Sequence, residues 1–523
     1  MICMRCGEKL TAQQCVCGFD ITRSSVVLSS MVNAAQLKTI TDDICALGIS
    51  GNSSYDVLAE AWNNGNALAA VYLGALTEKK AVGNEKDLEE AFSWYSKAAD
   101  AGVPDAKLKL AQFWSKGKGT PYKSLKRAIS LLQKDAEQGD ARAQYALGKA
   151  YGENADYPTA VSLFSASAEQ EYAPAEYWLG WMYRSGLGTK KDYSQAMHWF
   201  MKAADQDYSD AQVRIGQMYD GGLGVEKDSV EAGKWYSLAA EKGHYAAQYL
   251  LGLMYQEGDG VDQDIEKALR LYRLSAEQGY KDAQRKMGNL YYNGVGVEQD
   301  YKQAIEWFRL AADQMDALAR NQLGLAYQFG RGVEQNYETA VQWYRLAAAQ
   351  DNATAQVNLA LMYQNGKGVA QDYQEAIRWL KKAAEAKSSE AQYFLGNLYY
   401  DGVGTSKDCA LAETLYRKAA EHGHKGAQLS LASMLFSGEE RDEDKEEAFF
   451  WYQKLAESDD CFSQWMLGEM YYHGWGVAQD REKAVEWYRK AADQGYDKAK
   501  QTISRMIDRG ELPGRFYSGD AIT

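Results

Sequence analysis

Proline is nearly absent, with 5 in 523 residues. Such scarcity suits unbroken helices, because proline lacks the N–H that carries the ladder onward. No uncharged apolar run reaches roughly 18 residues, which excludes a helix spanning a membrane. The N-terminus lacks the basic stretch, apolar stretch and small-residue cleavage site of a secretory signal, so a cytoplasmic location is expected. Positive charge is the minority sign: Lys+Arg number 58 against 72 Asp+Glu, a net charge of −14. An acidic chain repels phosphate backbones and anionic bilayers, so nucleic acid is not an expected partner. Cysteines number 7, and four of them, Cys3, Cys6, Cys15 and Cys17, crowd the N-terminus, so no disulfide framework runs along the chain. The 5 histidines form no His-Glu-x-x-His, and no Gly-x-Ser-x-Gly elbow occurs.

What is abundant is glycine, 47 residues, and a repeat accounts for it. A Leu-Gly-like pair recurs at Leu73-Gly74, Leu110-Ala111, Leu147-Gly148, Leu179-Gly180, Ile215-Gly216, Leu251-Gly252, Met287-Gly288, Leu323-Gly324, Leu359-Ala360, Leu395-Gly396, Leu431-Ala432 and Leu467-Gly468. From Leu179 onward every step is 36 residues, and the earlier steps are 37, 37 and 32. Self-similarity at such a period points to a stack of repeats rather than to several globular domains.

The segment from Asp210 to Gly243 shows the unit. Ala211, Ile215 and Met218 fall on one face of an amphipathic helix. Gly222 and Gly224 then stop that helix and permit a turn with positive φ. Asp228 stands at the N-cap of a second helix, with Glu231 three residues on in the pattern of a capping box. The equivalents Asp192, Asp264, Asp300, Asp372, Asp408 and Asp480 recur in phase, so these carboxylates are read as helix caps and not as catalytic acids. The second helix carries an aromatic pair and an alanine pair, as in Trp235-Tyr236 with Ala239-Ala240. Aromatics supply buried area and alanines let the next helix pack close.

The recurring phrase Ala-Gln-x-x-Leu-Gly-x-Met-Tyr-x-x-Gly-x-Gly-Val-x-x-Asp-Tyr-x-x-Ala-x-x-Trp-Tyr-x-x-Ala-Ala resembles the Sel-one-like repeat, a relative of the tetratricopeptide repeat. The resemblance covers roughly residues 54–505. It implies an all-α fold, a right-handed superhelical solenoid of about 12 antiparallel helix pairs. It also implies scaffold or adaptor roles. Cysteine-rich relatives with a disulfide in each repeat bind penicillin-like compounds. Cys409 and Cys461 are isolated here, so that activity is not carried over.

At the N-terminus, Cys3-x2-Cys6 and Cys15-x-Cys17 resemble a compact zinc ribbon over residues 1–20. Four thiolates suit a structural tetrahedral zinc, although the single spacer between Cys15 and Cys17 departs from the usual two. Residues 21–53 read as a linker with a short helix, and 506–523 as a tail.

The expected function is a non-catalytic scaffold that binds a protein or peptide on the concave face of the solenoid. Two variable rows compete for that role. The first holds Val213-Arg214, Tyr249-Leu250, Arg285-Lys286, Val357-Asn358, Tyr393-Phe394 and Trp465-Met466. The second holds Arg184, Asp220, Gln256, Tyr292, Gln328, Gln364, Tyr400 and Tyr472. Bulky Tyr249, Tyr393 and Trp465 suit packing, which favours the second row, with Tyr292, Tyr400 and Tyr472 as anchors. The alternatives are a regulator whose zinc ribbon contacts nucleic acid or protein, and a hydrolase of cell-wall or β-lactam type.

Overall fold

The computed structural model describes residues 58–512, except 60, 61, 64, 66, 82, 83, 118 and 438–441. The expected zinc-ribbon residues and the linker lie outside the described residues. Among those described there are 25 α-helices and no strand: twelve pairs from Ala67 onward, then a single helix, Asp497–Asp508. No helix among them is long and apolar enough to cross a membrane. The chain divides into two compact units, one ending at Ala268 and the other starting at Leu269.

Within each unit the repeat is built as its sequence dictates. In the helix Ser209–Gly221, Ala211, Ile215, Gly216 and Met218 are buried. Gly222 caps it in the left-handed region at φ 61°. Gly224, at φ 74°, lies against Tyr193 at the start of the preceding repeat's second helix, where a Cβ finds no room. The two loop glycines thus do separate jobs: one ends a helix, and the other lets one repeat approach the last.

The aspartates are N-caps, as in Asp228 accepting from the Glu231 N–H at 2.9 Å. The other half of the expected capping box is replaced. The Asp228 N–H donates to the Tyr219 carbonyl of the first helix at 3.0 Å, and Asp300 and Asp480 do the same to Tyr291 and Tyr471, each at 2.9 Å. One residue therefore caps the second helix and ties it to the first.

Inside each pair, the second helix presses an aromatic ring onto the glycine of the Leu-Gly anchor. A Cβ on Gly216 would stand 2.5 Å from Tyr236 Cε1, and one on Gly180 would stand 2.8 Å from Phe200. Where the anchor carries alanine, at Ala111 and Ala360, the facing position is leucine, Leu132 and Leu380. Ala432 keeps an aromatic, Tyr452, in the same core.

Successive repeats are joined by a polar pair thirty residues apart, the earlier member buried and the later one exposed. Gln314 Nε2 donates to Gln284 Oε1, and Gln494 Nε2 to Gln464 Oε1, each at 2.8 Å. In the first unit Gln206 Nε2 donates to Glu176 Oε2 at 2.8 Å. At three places where the residue thirty positions on is not glutamine, the earlier Oε1 has no partner: Gln212, Gln356 and Gln392 are followed at that spacing by Lys242, Ala386 and His422. Lys242 pairs instead with Asp207 at 2.5 Å, and His422 Nδ1 lies 2.7 Å from the Lys418 carbonyl.

Candidate partner-binding face

Both variable rows lie on the first helices. They lie seven residues apart, two helical turns, and therefore share a side of the helix. Sequence phase sets them in competition; the geometry stacks them along one seam.

The first row sits where first helices of consecutive repeats meet. Arg214 Nε donates to the Tyr177 hydroxyl at 3.2 Å, Asn358 Nδ2 to Asn321 Oδ1 at 2.9 Å, and Trp465 Nε1 to Thr502 Oγ1 at 3.3 Å. The same row also packs on the residue that opens the next first helix, with different chemistry at each step. Tyr177 meets Tyr208 at 5.5 Å between centroids, and Tyr393 stacks on His424 at 4.6 Å. Arg285 pairs with Asp316 at 3.2 Å. Much of this row is therefore engaged in joining repeats.

The second row lies at the C-terminal end of the first helices. Side chains of Gln263, Gln299, Gln335, Gln371 and Gln479 donate to the backbone carbonyls of Gln256, Tyr292, Gln328, Gln364 and Tyr472 at 2.7–2.9 Å. These bonds satisfy helix-end carbonyls otherwise left open and hold the row in place.

Each predicted residue has a distinct setting. Tyr400 is the most open anchor, 39% exposed, with the Lys407 ammonium 5.2 Å from its ring centroid. The Tyr472 hydroxyl donates to Glu511 at 2.6 Å, and that bond comes first in raising its pKa, ahead of burial. The Tyr292 hydroxyl accepts from Arg331 of the next repeat, and its ring packs on Tyr301 at 5.1 Å. Gln328 accepts from the buried Tyr344 hydroxyl at 2.6 Å. The Gln364 side-chain oxygen is buried without a partner, and Arg184 and Gln256 are half-buried.

Beneath the face, buried tyrosines of the second helices send their hydroxyls up to first-helix residues. Tyr416 reaches Asn397 at 2.8 Å, and Tyr488 reaches Glu469 at 2.9 Å. Burial raises the pKa of both, so these hydroxyls stay protonated. Tyr236 has no such partner; its buried hydroxyl lies in the field of Asp220 and Arg214.

Two residues of this face escape the sequence rows. Phe436 stands 36 residues from both Tyr400 and Tyr472, and it packs on Trp475 at 5.3 Å. The constant step alone identifies it, but the loop that follows lacks Gly-x-Gly-Val and hides the phase. Trp475 occupies the variable position of Gly474-x-Gly476 and stacks on His473 at 4.3 Å. Among the described residues no group of His, Cys, Asp and Glu is placed to hold a metal. Cys3, Cys6, Cys15 and Cys17 lie outside them.

The Sel1 repeat family model matches twelve consecutive segments: residues 67–103, 104–140, 141–172, 173–208, 209–244, 246–280, 281–315, 317–352, 353–388, 389–424, 426–460 and 462–496. Among solved structures, a protective antigen of uropathogenic Escherichia coli strains displaying an SLR fold is 34% identical. The match covers 81% of this chain and 91% of that one, with a TM-score of 0.58. A Sel1 repeat protein from Oxalobacter formigenes is 36% identical over 47% of this chain and 96% of that one, with a TM-score of 0.44. No curated protein matches. With matched repeats running from residue 67 to 496, the chain belongs to the Sel1 repeat family.

Proposed function

We propose that this protein is a non-catalytic scaffold that binds a segment of a partner protein or peptide along its first-helix face. The observation carrying this reading is the aromatic series Tyr400, Phe436 and Tyr472, one ring per repeat at constant phase, with Tyr400 exposed. Aromatic side chains combine large contact area with little rotamer entropy and dominate binding hot spots. A stack of repeats presents such rings at regular intervals to an extended ligand. On the same row Tyr292, Gln328 and Gln364 belong to the second unit, and Arg184 and Gln256 occupy the equivalent positions in the first. A zinc held by Cys3, Cys6, Cys15 and Cys17 belongs to the same proposal as a structural element, tested by elemental analysis of the purified chain.

The test is affinity capture from the native cell extract with the wild-type chain and with Tyr400→Ala, Phe436→Ala and Tyr472→Ala combined. Loss of specific partners, with helical content unchanged, supports the reading. An identical captured set rejects this surface.

A further inference from the structure

The acidic chain contains one basic region. Between residues 104 and 153 ten Lys and Arg stand against five Asp and Glu, in a protein whose net charge is −14. Several of these cations are satisfied internally: Lys107 pairs with Asp135 at 2.8 Å, Arg142 with Asp105 at 3.0 Å, and Lys109 with Glu78 at 3.2 Å.

Others are not. Among the described residues Lys116, Lys149 and Arg184 make no ion pair, and all three lie on the first-helix face of the N-terminal unit. Lys149 Nζ sits 3.9 Å from the centroid of Trp178, and Trp178 packs edge-on to Trp181 at 5.5 Å. Arg184 lies one turn beyond Trp181 on the same helix, Ala173–Ser185. Lys116 is exposed, and its charge is felt by both Lys109 and Lys149. Burial holds the Lys149 ammonium below the usual lysine pKa; the Glu153 carboxylate opposes that effect and Lys116 adds to it. The acids nearby have other partners as well: Glu153, whose charge reaches Lys149 without forming an ion pair, accepts from Ser115 at 2.6 Å, and Glu78 accepts from Tyr95 at 2.8 Å as well as from Lys109.

We propose that this face docks an extended acidic segment of a partner protein, whose carboxylates pair with Lys116, Lys149 and Arg184 while its backbone runs over Trp178 and Trp181. The inference rests on the scaffold reading but names a different part of the face and the chemistry of its occupant. Charge complementarity carries it. Lys149 and Arg184 are half-buried and make no ion pair, and such cations gain most from an anion that brings its own negative charge into a partly desolvated setting. A short acidic segment fits the basic region and ends before the acidic remainder of the chain. A nucleic acid carries its charge onward into that repulsion.

The experiment uses the full chain and fluorescence anisotropy of a labelled peptide of alternating Glu and Ser. A Gln–Ser peptide of the same length is the control, and an oligodeoxythymidine is the competing polyanion. The acidic peptide is expected to bind in preference to the control and to weaken with added salt. Lys149→Glu combined with Arg184→Glu should cut that affinity by about tenfold or more. The milder Lys149→Gln with Arg184→Gln should give a smaller loss, and keeps the test valid if charge reversal perturbs folding. Tyr400→Ala with Tyr472→Ala should leave this binding unchanged, so failure here is separable from failure of the aromatic row. Equal binding of the two peptides, no effect of the Lys149 and Arg184 changes, or tighter binding of the oligonucleotide would each overturn the proposal.

Discussion

Gln356 is buried with its Oε1 unsatisfied, and the residue thirty positions on is Ala386. At the equivalent places Gln284 and Gln464 are satisfied by Gln314 and Gln494 from thirty residues downstream. The backbone at Ala386, φ −77° and ψ 12°, matches that at Gln494, φ −78° and ψ 2°, and that at Gln314, φ −84° and ψ 19°. Ala386 is also exposed, so a longer side chain meets no obstacle in leaving the helix end. Ala386→Gln should therefore place an amide N–H on the Gln356 oxygen. A new hydrogen bond to a neutral group contributes about 0.5–1.5 kcal/mol. Ordering the glutamine offsets part of that, leaving about 0.5–1 kcal/mol. The reverse change, Gln314→Ala, strips the partner from Gln284 and should cost about 1–2 kcal/mol, since the buried oxygen is left unmet. Stacked repeats open locally rather than in a single two-state step, so a global melt is a blunt readout. Hydrogen exchange in the helices Ala353–Asn365 and Tyr373–Glu385 reads the local free energy. Slowing by up to about fivefold is expected for Ala386→Gln, with faster exchange around Gln284 for Gln314→Ala. Unchanged exchange in both variants would refute the polar pair as a joint between repeats.

Glu176 occupies the position where most repeats carry glutamine, and burial raises its carboxyl pKa above 4.5. A raised folded-state pKa stabilises below the unfolded value and loses that contribution as pH rises through the folded one. Glu176→Gln should thus raise the melting temperature at pH 7, with the advantage shrinking in acid; an equal shift at both pH values would contradict this. Glu447 has the opposite sign: the Arg417 guanidinium, bonded at 2.9 and 3.2 Å, holds its pKa below 4.5. Its contribution is present above about pH 4.5 and lost as pH falls through the depressed value, so Glu447→Gln should flatten the acid limb of a stability–pH curve. Gly216→Val should destabilise by about 1–3 kcal/mol through collision with Tyr236. Adding Tyr236→Leu should recover part of that loss in chemical denaturation, and a double variant as weak as the sum of the singles would argue against the ring as the obstacle.

The period, the paired helices, the loop glycines and the aspartate caps were all legible in the chain, because each recurs in phase and each has a local cause. Gly222 and Asp228 act within a few residues of themselves, and nothing distant is needed to interpret them. The joints between repeats were not legible. They join positions thirty to thirty-nine residues apart, and their chemistry changes at every step: Tyr177 with Tyr208, Arg285 with Asp316, Tyr393 with His424. A search for sameness discards such positions as variable. Variation at the first row therefore has a structural cause, since its residues answer neighbours in the adjoining repeat, whereas Lys116, Lys149 and Arg184 make no ion pair among the described residues. This contrast separates the two kinds of variable surface in a repeat protein. Where a changing residue meets a changing partner inside the chain, the pair sets register; where a charge meets no opposite charge there, another molecule can supply one. Lys149 and Arg184 make no ion pair and fall on the second side of that line, and Tyr393, stacked on His424, falls on the first.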